Sequence, residues 1–456
     1  MSDRKPKKFY IKTYGCQMNK YDSELVAGLL QQHGLEPVAA PEDADVILVN
    51  TCAVRDHAEQ RVLGHLTQLR LHKQADPSRK IGVLGCMAER MGQDLIAKRP
   101  FVDFVLGPDG YRKLPALLGL DERAEWEKDG QDRLETYTDI FPAHTEGVAA
   151  WIAVMRGCNN FCSYCIVPYV RGRERSRPAA DVVREVRRLA EQGYLEVTLL
   201  GQNVNSYWDG EHDFSDLLRL VAGVEGIARI RFATSHPKDL SDKLIDTIAS
   251  EPKVCNHVHL PVQSGSSRIL RLMNRKYTRE QYLERVRRIR QAIPEVALTT
   301  DIIVGFPGET EEDFEQTRSL LEEVEYDGAF VFHYSVRPGT AAARLPDNVP
   351  HEEKIARLEE LNRLQKKISL KKNRALVGRI EEVLVEGPNR KRLGQYIGRT
   401  ETNKIVVFRP GREESKRGIV RLLITDASAH TLFGRDPDEV PEGETPVTVA
   451  AAASEE

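Results

Sequence analysis

Cys158, Cys162 and Cys165 stand in the stretch Met-Arg-Gly-Cys-Asn-Asn-Phe-Cys-Ser-Tyr-Cys-Ile-Val-Pro, a CxxxCxxC spacing. Three thiolates this close in sequence can hold three irons of a [4Fe-4S] cube and leave the fourth iron without a protein ligand. An open iron can bind a small molecule. Electron-transfer clusters and structural zinc sites take four protein ligands. The triplet therefore suits an open cluster, or a zinc knuckle completed by a distant fourth ligand, and the 3-then-2 spacing favours the cluster.

Three further cysteines occur as Tyr14-Gly-Cys16, Asn50-Thr-Cys52 and Leu84-Gly-Cys86. Each follows a short apolar run, at residues 9–13, 46–50 and 81–85, with a fourth run near 102–107. Such runs read as strands buried on both faces, and residues 22–33 and 53–73 between them read as helices. Strand-helix alternation predicts an open parallel α/β sheet. Its carboxyl edge is where ligands bind in such folds, so three strand-end thiolates converge there. They predict a second [4Fe-4S] cluster, against a zinc ion with an outside ligand or three buried, unreactive thiols. Cys255 has no such neighbours and reads as a core thiol.

Alternation resumes with strand candidates at 151–156, 196–200, 229–233, 257–260, 299–304 and 329–334. Helical stretches at 180–192, 216–223, 241–250, 279–292 and 311–323 follow most of them. Six βα units predict a partial (β/α)6 barrel, with its site at the carboxyl ends of the strands. Those ends carry the CxxxCxxC loop, Gly201-Gln202-Asn203, Ser235-His236-Pro237, Gln263-Ser264-Gly265 and Gly305 with Gly308-Glu309-Thr310. Glycines let backbone amides approach a ligand. Thr310 with Asp313 reads equally well as a capping box opening a helix. His257 and His259 share one face of a strand and read as hydrogen-bonding or core residues rather than metal ligands. Arg171, Arg173, Arg175 and Arg177, if extended, share one side and could follow a phosphate backbone; a loop tied by ion pairs explains them equally.

Residues 351–374 carry apolar residues at helical spacing and predict an amphipathic helix packed on the barrel. Short alternating segments at 379–385, 393–399, 404–408 and 417–426, with turns at Gly387-Pro388 and Pro410-Gly411, predict a small antiparallel β-barrel. Residues 374–435 hold thirteen Lys and Arg against seven Asp and Glu, whereas 436–456 hold seven acidic residues and no basic one. A basic barrel fits nucleic acid or simple solvation, and the acidic tail is expected to be disordered. The chain has 456 residues and a net charge of −3, which suits about three domains and says little alone about partners. No apolar run is long enough for a membrane helix, and the start lacks the apolar core of a signal peptide. Seven scattered cysteines then point to metal binding in a reducing, cytoplasmic setting, with no membrane contact.

The CxxxCxxC motif and the glycine-rich strand-end loops resemble the radical S-adenosylmethionine (SAM) superfamily. The order of an α/β domain with three strand-end cysteines, such a barrel, and a small basic β-barrel resembles the methylthiotransferase family, whose last domain is called TRAM. The likeness covers roughly residues 7 to 435. Thr13-Tyr-Gly-Cys-Gln-Met-Asn19, Cys165-Ile-Val-Pro-Tyr169, His259-Leu-Pro-Val-Gln-Ser-Gly-Ser266 and Gly398-Arg-Thr-Glu-Thr-Asn403 look like its bacterial tRNA branch. The resemblance implies an α/β domain at 7–126, a radical SAM barrel at 144–372, TRAM at 373–435 and a tail at 436–456.

It implies a barrel cluster on Cys158, Cys162 and Cys165 that passes an electron to SAM, and a cluster on Cys16, Cys52 and Cys86 that holds the sulfur to be methylated and transferred. SAM would be held by Gly201, Gln202, Asn203, Ser235, Gln263, Ser264 and Gly305. The substrate would be isopentenylated adenosine 37 in the tRNA anticodon loop, modified at carbon 2 with a methylthio group. Arg171, Arg173, Arg175 and Arg177 would contact the RNA. An electron donor such as flavodoxin or ferredoxin and a monomeric enzyme complete the expectation. Sister branches acting on an aspartate of a ribosomal protein, or on threonylcarbamoyl-adenosine in tRNA, share the six cysteines. A non-catalytic iron–sulfur RNA-binding sensor would need no SAM pocket.

Overall fold

The computed structural model describes residues 6–53, 56–121, 135–144 and 147–439, with the backbone alone of 56–61 and 439. The first five strands are β1 (Lys8–Thr13), β2 (Glu36–Pro37), β3 (Val46–Thr51), β4 (Lys80–Gly85) and β5 (Phe104–Leu106). They form one parallel sheet in the order β2-β1-β3-β4-β5. All of β3 is buried. Val46 and Leu48 pack with Leu25 and Leu29 of α1 (Gln17–Gln32), while Ile47 and Val49 pack with Val62, Leu66 and Leu69 of α2 (Asp56–Ala75). Period-2 alternation of a fully buried strand thus feeds two helical layers. β2 was not expected, because two residues leave no pattern. It makes β1 and β3 the point where strand order reverses, the natural crevice of such a sheet. α3 (Cys86–Met91), α4 (Gln93–Lys98) and α5 (Leu114–Leu117) complete this part.

The central barrel comprises β6 (Ala149–Ala153), β9 (Glu196–Leu200), β10 (Arg229–Ala233), β11 (His257–His259), β12 (Ala297–Val304) and β13 (Gly328–His333), all parallel. Two three-stranded sheets meet at a bridge between Ile230 and Val254. Residues 151–156, read as one strand, are two. At Val154 the chain leaves the barrel, and β7 (Met155–Arg156) pairs antiparallel with β8 (Arg175–Ser176). This hairpin pinches together the two ends of the cysteine loop. Helices α7 (Ala179–Glu191), α8 (Phe214–Ala222), α9 (Asp242–Ser250), α11 (Arg279–Ala292) and α12 (Glu311–Val324) match the expected stretches closely. Two short helices were not foreseen, α6 (Val167–Arg171) and α10 (Ser267–Leu272).

Helix α13 (His351–Arg374) buries Leu361 and Ile368 against the barrel core. The last five strands, β14 (Ile380–Pro388), β15 (Tyr396–Thr400), β16 (Ile405–Phe408), β17 (Ile419–Ala427) and β18 (Leu432–Arg435), close a second barrel. β18, absent from the sequence reading, pairs parallel with β16, so one seam departs from the antiparallel pattern. Gly387-Pro388 is not a turn. It continues β14 beyond a bulge and pairs with Ile397 and Tyr396, which a proline tolerates at a strand end. Arg231 fastens this barrel to the central one, donating to Glu401 O at 2.8 Å and Thr400 O at 2.7 Å. The acidic tail beyond 439 lies outside the described residues. Among the described residues no helix is long and apolar enough to cross a membrane.

Candidate active site

The loop between β7 and α6 carries the first cysteine set. Gly157 opens it at φ +77°, and a Cβ there would sit 2.0 Å from Arg173 O, so only glycine fits. Cys158 N donates to Gly172 O at 3.1 Å and Cys165 N to Cys162 O at 2.9 Å, which curls the loop and keeps the three thiols within electrostatic reach of one another. Ser163 ties it to the end of α10 through Met273 O and Leu272 O. Burial pushes the Cys158 thiol up to about 11 and Cys165 up to about 12. These thiols ionise only if a cation joins them, which is what a bound metal centre provides. One cation is already present. Buried Arg275 donates to Cys162 Sγ at 3.4 Å, to Pro261 O at 2.9 Å and to Tyr277 OH at 2.8 Å.

The second set lies at the crevice of the first sheet. Cys16 caps α1, Cys52 follows β3 and Cys86 opens α3. A Cβ on Gly15 would stand 2.7 Å from that of Cys52, so the loops after β1 and β3 touch. Buried Asn19 accepts from Cys16 Sγ at 3.4 Å and donates to Asn50 Oδ1 at 3.1 Å and Thr51 O at 3.0 Å. A hydrogen bond with Cys52 holds the Cys16 thiol down to about 6, helped by the charge of Arg171. Arg171 Nε donates to Cys86 Sγ at 3.2 Å, and its Nη2 meets Asp22 Oδ2 at 2.8 Å. Arg156 takes the other Asp22 oxygen at 2.8 Å. Burial alone would raise the Asp22 carboxyl; the two guanidiniums overcome that and hold it below the usual carboxylate range.

Helix α6 is the wall between the two sets. It starts just after Cys165, packs Ile166 and Val170 against Ala53 and Cys86, and ends at Arg171. Among the described residues no three His, Cys, Asp or Glu side chains are placed to share one metal ion.

The strand-end loops differ in what they leave free. Gln202 Oε1 accepts from Gly157 N at 2.6 Å, locking the loop after β9 to the cysteine loop, and a Cβ on Gly201 would strike Met155. Asn203 Nδ2 is held by Asp239 at 2.8 Å, yet its Oδ1 is buried without a partner. Ser235 Oγ is likewise buried and unpaired. An unmet buried polar atom costs about 1–3 kcal/mol, so these two strand-end atoms are suited to receive a polar ligand. Gln263 adopts φ +72°, and Ser264 Oγ lies 3.4 Å from Thr317 Oγ1. The Gly305 amide donates to Glu309 Oε1 at 2.8 Å, and Glu309 is paired with Arg357 at 2.7 Å, so this amide is already engaged within the protein. The capping box of Thr310 and Asp313 is formed, so this loop serves as a helix start. His257 and His259 both meet Thr299 Oγ1, as hydrogen-bonding residues.

The arginine run does not lie along one surface. α6 ends at Arg171, Gly172 turns at φ +69°, and only Arg175–Ser176 is strand. Arg175 pairs with Asp109, and Arg177 with Glu185 at 2.7 Å. Arg173 alone is exposed. Asp22, Arg156, Asn19 and Arg275 were missed because their partners are remote in sequence. A signal existed for Asp22, which shares a helix face with Leu25, Val26 and Leu29.

Three family models match: the Radical SAM superfamily at residues 152–321, Uncharacterized protein family UPF0004 at 8–107, and the TRAM domain at 374–435. The chain is 49% identical over 439 residues to a tRNA-2-methylthio-N(6)-dimethylallyladenosine synthase of Bacteroides thetaiotaomicron, covering 94% of this chain and 96% of that one. It is 47% identical over 440 residues to the synthase of that name from Carboxydothermus hydrogenoformans, covering 94% and 99%. Among solved structures, the radical S-adenosylmethionine methyltransferase TsrM from Kitasatospora setae matches 74% of each chain with TM-score 0.58 and 16% identity. The cobalamin-dependent radical enzyme OxsB matches 78% of this chain and 56% of its own, with TM-score 0.51 and 11% identity. These two likenesses concern the fold alone.

Proposed function

We infer that this chain, which belongs to the radical SAM tRNA methylthiotransferases, places a methylthio group on carbon 2 of isopentenylated adenosine 37 in the tRNA anticodon loop. The observation that carries the two-cluster form of this reading is the shared wall: α6 joins Cys165 of one thiolate set to Cys86 of the other through Ile166, Val170 and Arg171. Sulfur held on one side and radical chemistry on the other would meet across a single short helix. The hydrogen on carbon 2 has no useful acidity, and bound SAM with a reduced cluster supplies the radical chemistry its removal requires.

The chain's own residues do the holding. Cys158, Cys162 and Cys165 would ligate a first [4Fe-4S] cluster, and Arg275 fixes the Cys162 sulfur while adding positive charge beside it. Cys16, Cys52 and Cys86 would ligate a second, with Arg171 in the equivalent place. Asn203 Oδ1 and Ser235 Oγ, unpaired and buried, are the polar atoms offered to SAM. The C-terminal barrel, thirteen cations against seven anions, would grip the RNA backbone from residues 373–435. The substrate base is single-stranded in the anticodon loop and can be splayed into a pocket. The α/β part at 7–126 and the barrel at 144–372 would form the pocket between them. A one-electron donor such as flavodoxin or ferredoxin supplies the reducing equivalent, and the enzyme acts as a monomer.

The test is anaerobic. Protein reconstituted with iron and sulfide is mixed with SAM, dithionite and tRNA bearing isopentenyladenosine, and the digested nucleosides are weighed. A methylthio mass gain that disappears in Cys16→Ala and Cys158→Ala supports the reading. SAM cleavage without that gain would move the substrate elsewhere in the family.

A further inference from the structure

Strand β13 carries two aromatic rings on the inside of the central barrel. Its Ala329 and Val331 pack outward against the main core, as do Val258 of β11 and Leu298 and Ile302 of β12. Side chains alternate along a strand. Phe330 and Phe332 therefore face the lumen, together with Thr299 and Asp301 of β12 and His259 of β11. Phe330 is 57% exposed and Phe332 38%. Large apolar side chains left open beside one another mark a binding surface.

This wall can be reached from the side. Among the described strands, β6 and β13 each pair on one edge only, so the partial barrel is open between them. The polar groups next to the rings are few. Asp301 stands opposite Phe330 in the β12–β13 register. His259 meets Phe330 edge-on at 6.1 Å, shares a hydrogen bond with Thr299 Oγ1 at 3.0 Å and lies 3.5 Å from Asp301. β11, β12 and β13 contain no Lys or Arg. The wall thus offers two rings and a carboxylate, and no cation of its own.

We propose that Phe330 and Phe332 seat the N6-isopentenyl group of the substrate base and set the preference for it over a threonylcarbamoyl group. The proposal rests on the isopentenyladenosine reading given above. Phe330 lies three residues inside the end of β13, roughly 10 Å from the strand-end loops that would hold SAM. Carbon 2 and the N6 substituent leave the adenine ring in different directions. A prenyl group seated deep in the lumen therefore leaves carbon 2 free to face the strand ends. The branched hydrocarbon covers the rings, and Asp301 would accept the one hydrogen left on N6. A threonylcarbamoyl group in the same place would bring its own carboxylate against Asp301 and two phenyl rings. Burying an unpaired charge is costly, and such a mismatch gives specificity as surely as a good fit does.

Anticodon stem-loops carrying adenosine, isopentenyladenosine or threonylcarbamoyladenosine at position 37 test this by equilibrium binding to the reconstituted full chain. The wild type is expected to hold the isopentenylated RNA about tenfold or more tighter than the unmodified one, as a small apolar group does in an apolar pocket. Phe330→Ala should bring that ratio close to one, and Phe330→Leu should keep most of it. Phe330→Lys should strengthen binding of the threonylcarbamoylated RNA, a gain that misfolding cannot produce. A ratio near one in the wild type, or an unchanged ratio in Phe330→Ala, would overturn the proposal. So would equal weakening of all three RNAs in Phe330→Ala, which would give the ring to parts the nucleosides share. Loss of SAM cleavage by that variant without RNA would overturn it too, giving the ring to SAM. The reaction is read separately, by mass. A ratio that collapses in Phe330→Ala, beside no methylthio gain in the wild type, would keep the pocket and sink the proposed reaction.

Discussion

Arg171 donates from Nε to Cys86 Sγ at 3.2 Å. The arginine comes from the central barrel and the cysteine from the N-terminal sheet, so one guanidinium joins the two parts at the proposed sulfur site. With Arg156 it shares the single carboxylate of Asp22. Two guanidiniums and one carboxylate leave one positive charge over, next to a thiol whose ionisation burial opposes. A thiolate at Cys86, as the proposed second cluster would require, would complete the neutral set.

Arg171→Gln therefore removes both the sulfur's donor and a partner of Asp22. Iron at the N-terminal set is expected to fall while iron at the barrel set is retained, and Arg171→Lys is expected to recover part of the loss. Iron analysis with EPR of the reduced protein reads both. Breaking a buried ion pair from one side costs about 3–5 kcal/mol, so denaturant unfolding of Asp22→Asn should show a loss of that order. Wild-type stability in Arg171→Gln and Asp22→Asn would contradict the network.

His144 gives a pH dependence. It lies 3.0 Å from Glu24 of α1 and 3.6 Å from Glu185 of α7. Burial alone would lower its pKa; Glu185 and Glu24 overcome this and raise it to about 9. A raised folded pKa contributes stability that is complete below the unfolded value of about 6.5 and is lost as pH rises through the folded one. Stability should decline between about pH 6.5 and 9, and His144→Gln should flatten that decline. Thermal unfolding across the range measures it, and an unchanged profile in the variant would remove His144 from the account.

Much of this site was legible because cysteine spacing is local. The CxxxCxxC loop and the three strand-end cysteines needed only strand and helix periodicity to be placed. β2, β7 with β8, and β18 were not legible, because strands of two to four residues carry no period. The arginine run misled for a different reason. Alternating arginines look like one cationic edge, but Asp22, Asp109 and Glu185, which draw three of them inward, are remote in sequence. Long-range charge pairing has no local signature. Gly305 also has a backbone reason to be glycine that the sequence did not reveal, its φ of +66° and the crowding of Lys354 against it.

Gly157→Ala tests the loop geometry. The added methyl group would overlap Arg173 O, and φ +77° is unfavourable for alanine. The cysteine loop should open at its base, and the barrel set should lose iron while the N-terminal set keeps it. Full iron loading of the variant would show that the pinch by β7 and β8 is dispensable.

The central claim is that two separate thiolate sets each hold a cluster across α6. Iron and sulfide counts with Mössbauer spectra on anaerobically reconstituted protein test it directly. The wild type should bind about eight irons, and the Cys16/Cys52/Cys86→Ala and Cys158/Cys162/Cys165→Ala variants about four each, as two independent cubes require. About four irons in the wild type, unchanged in one of the triple variants, would contradict it.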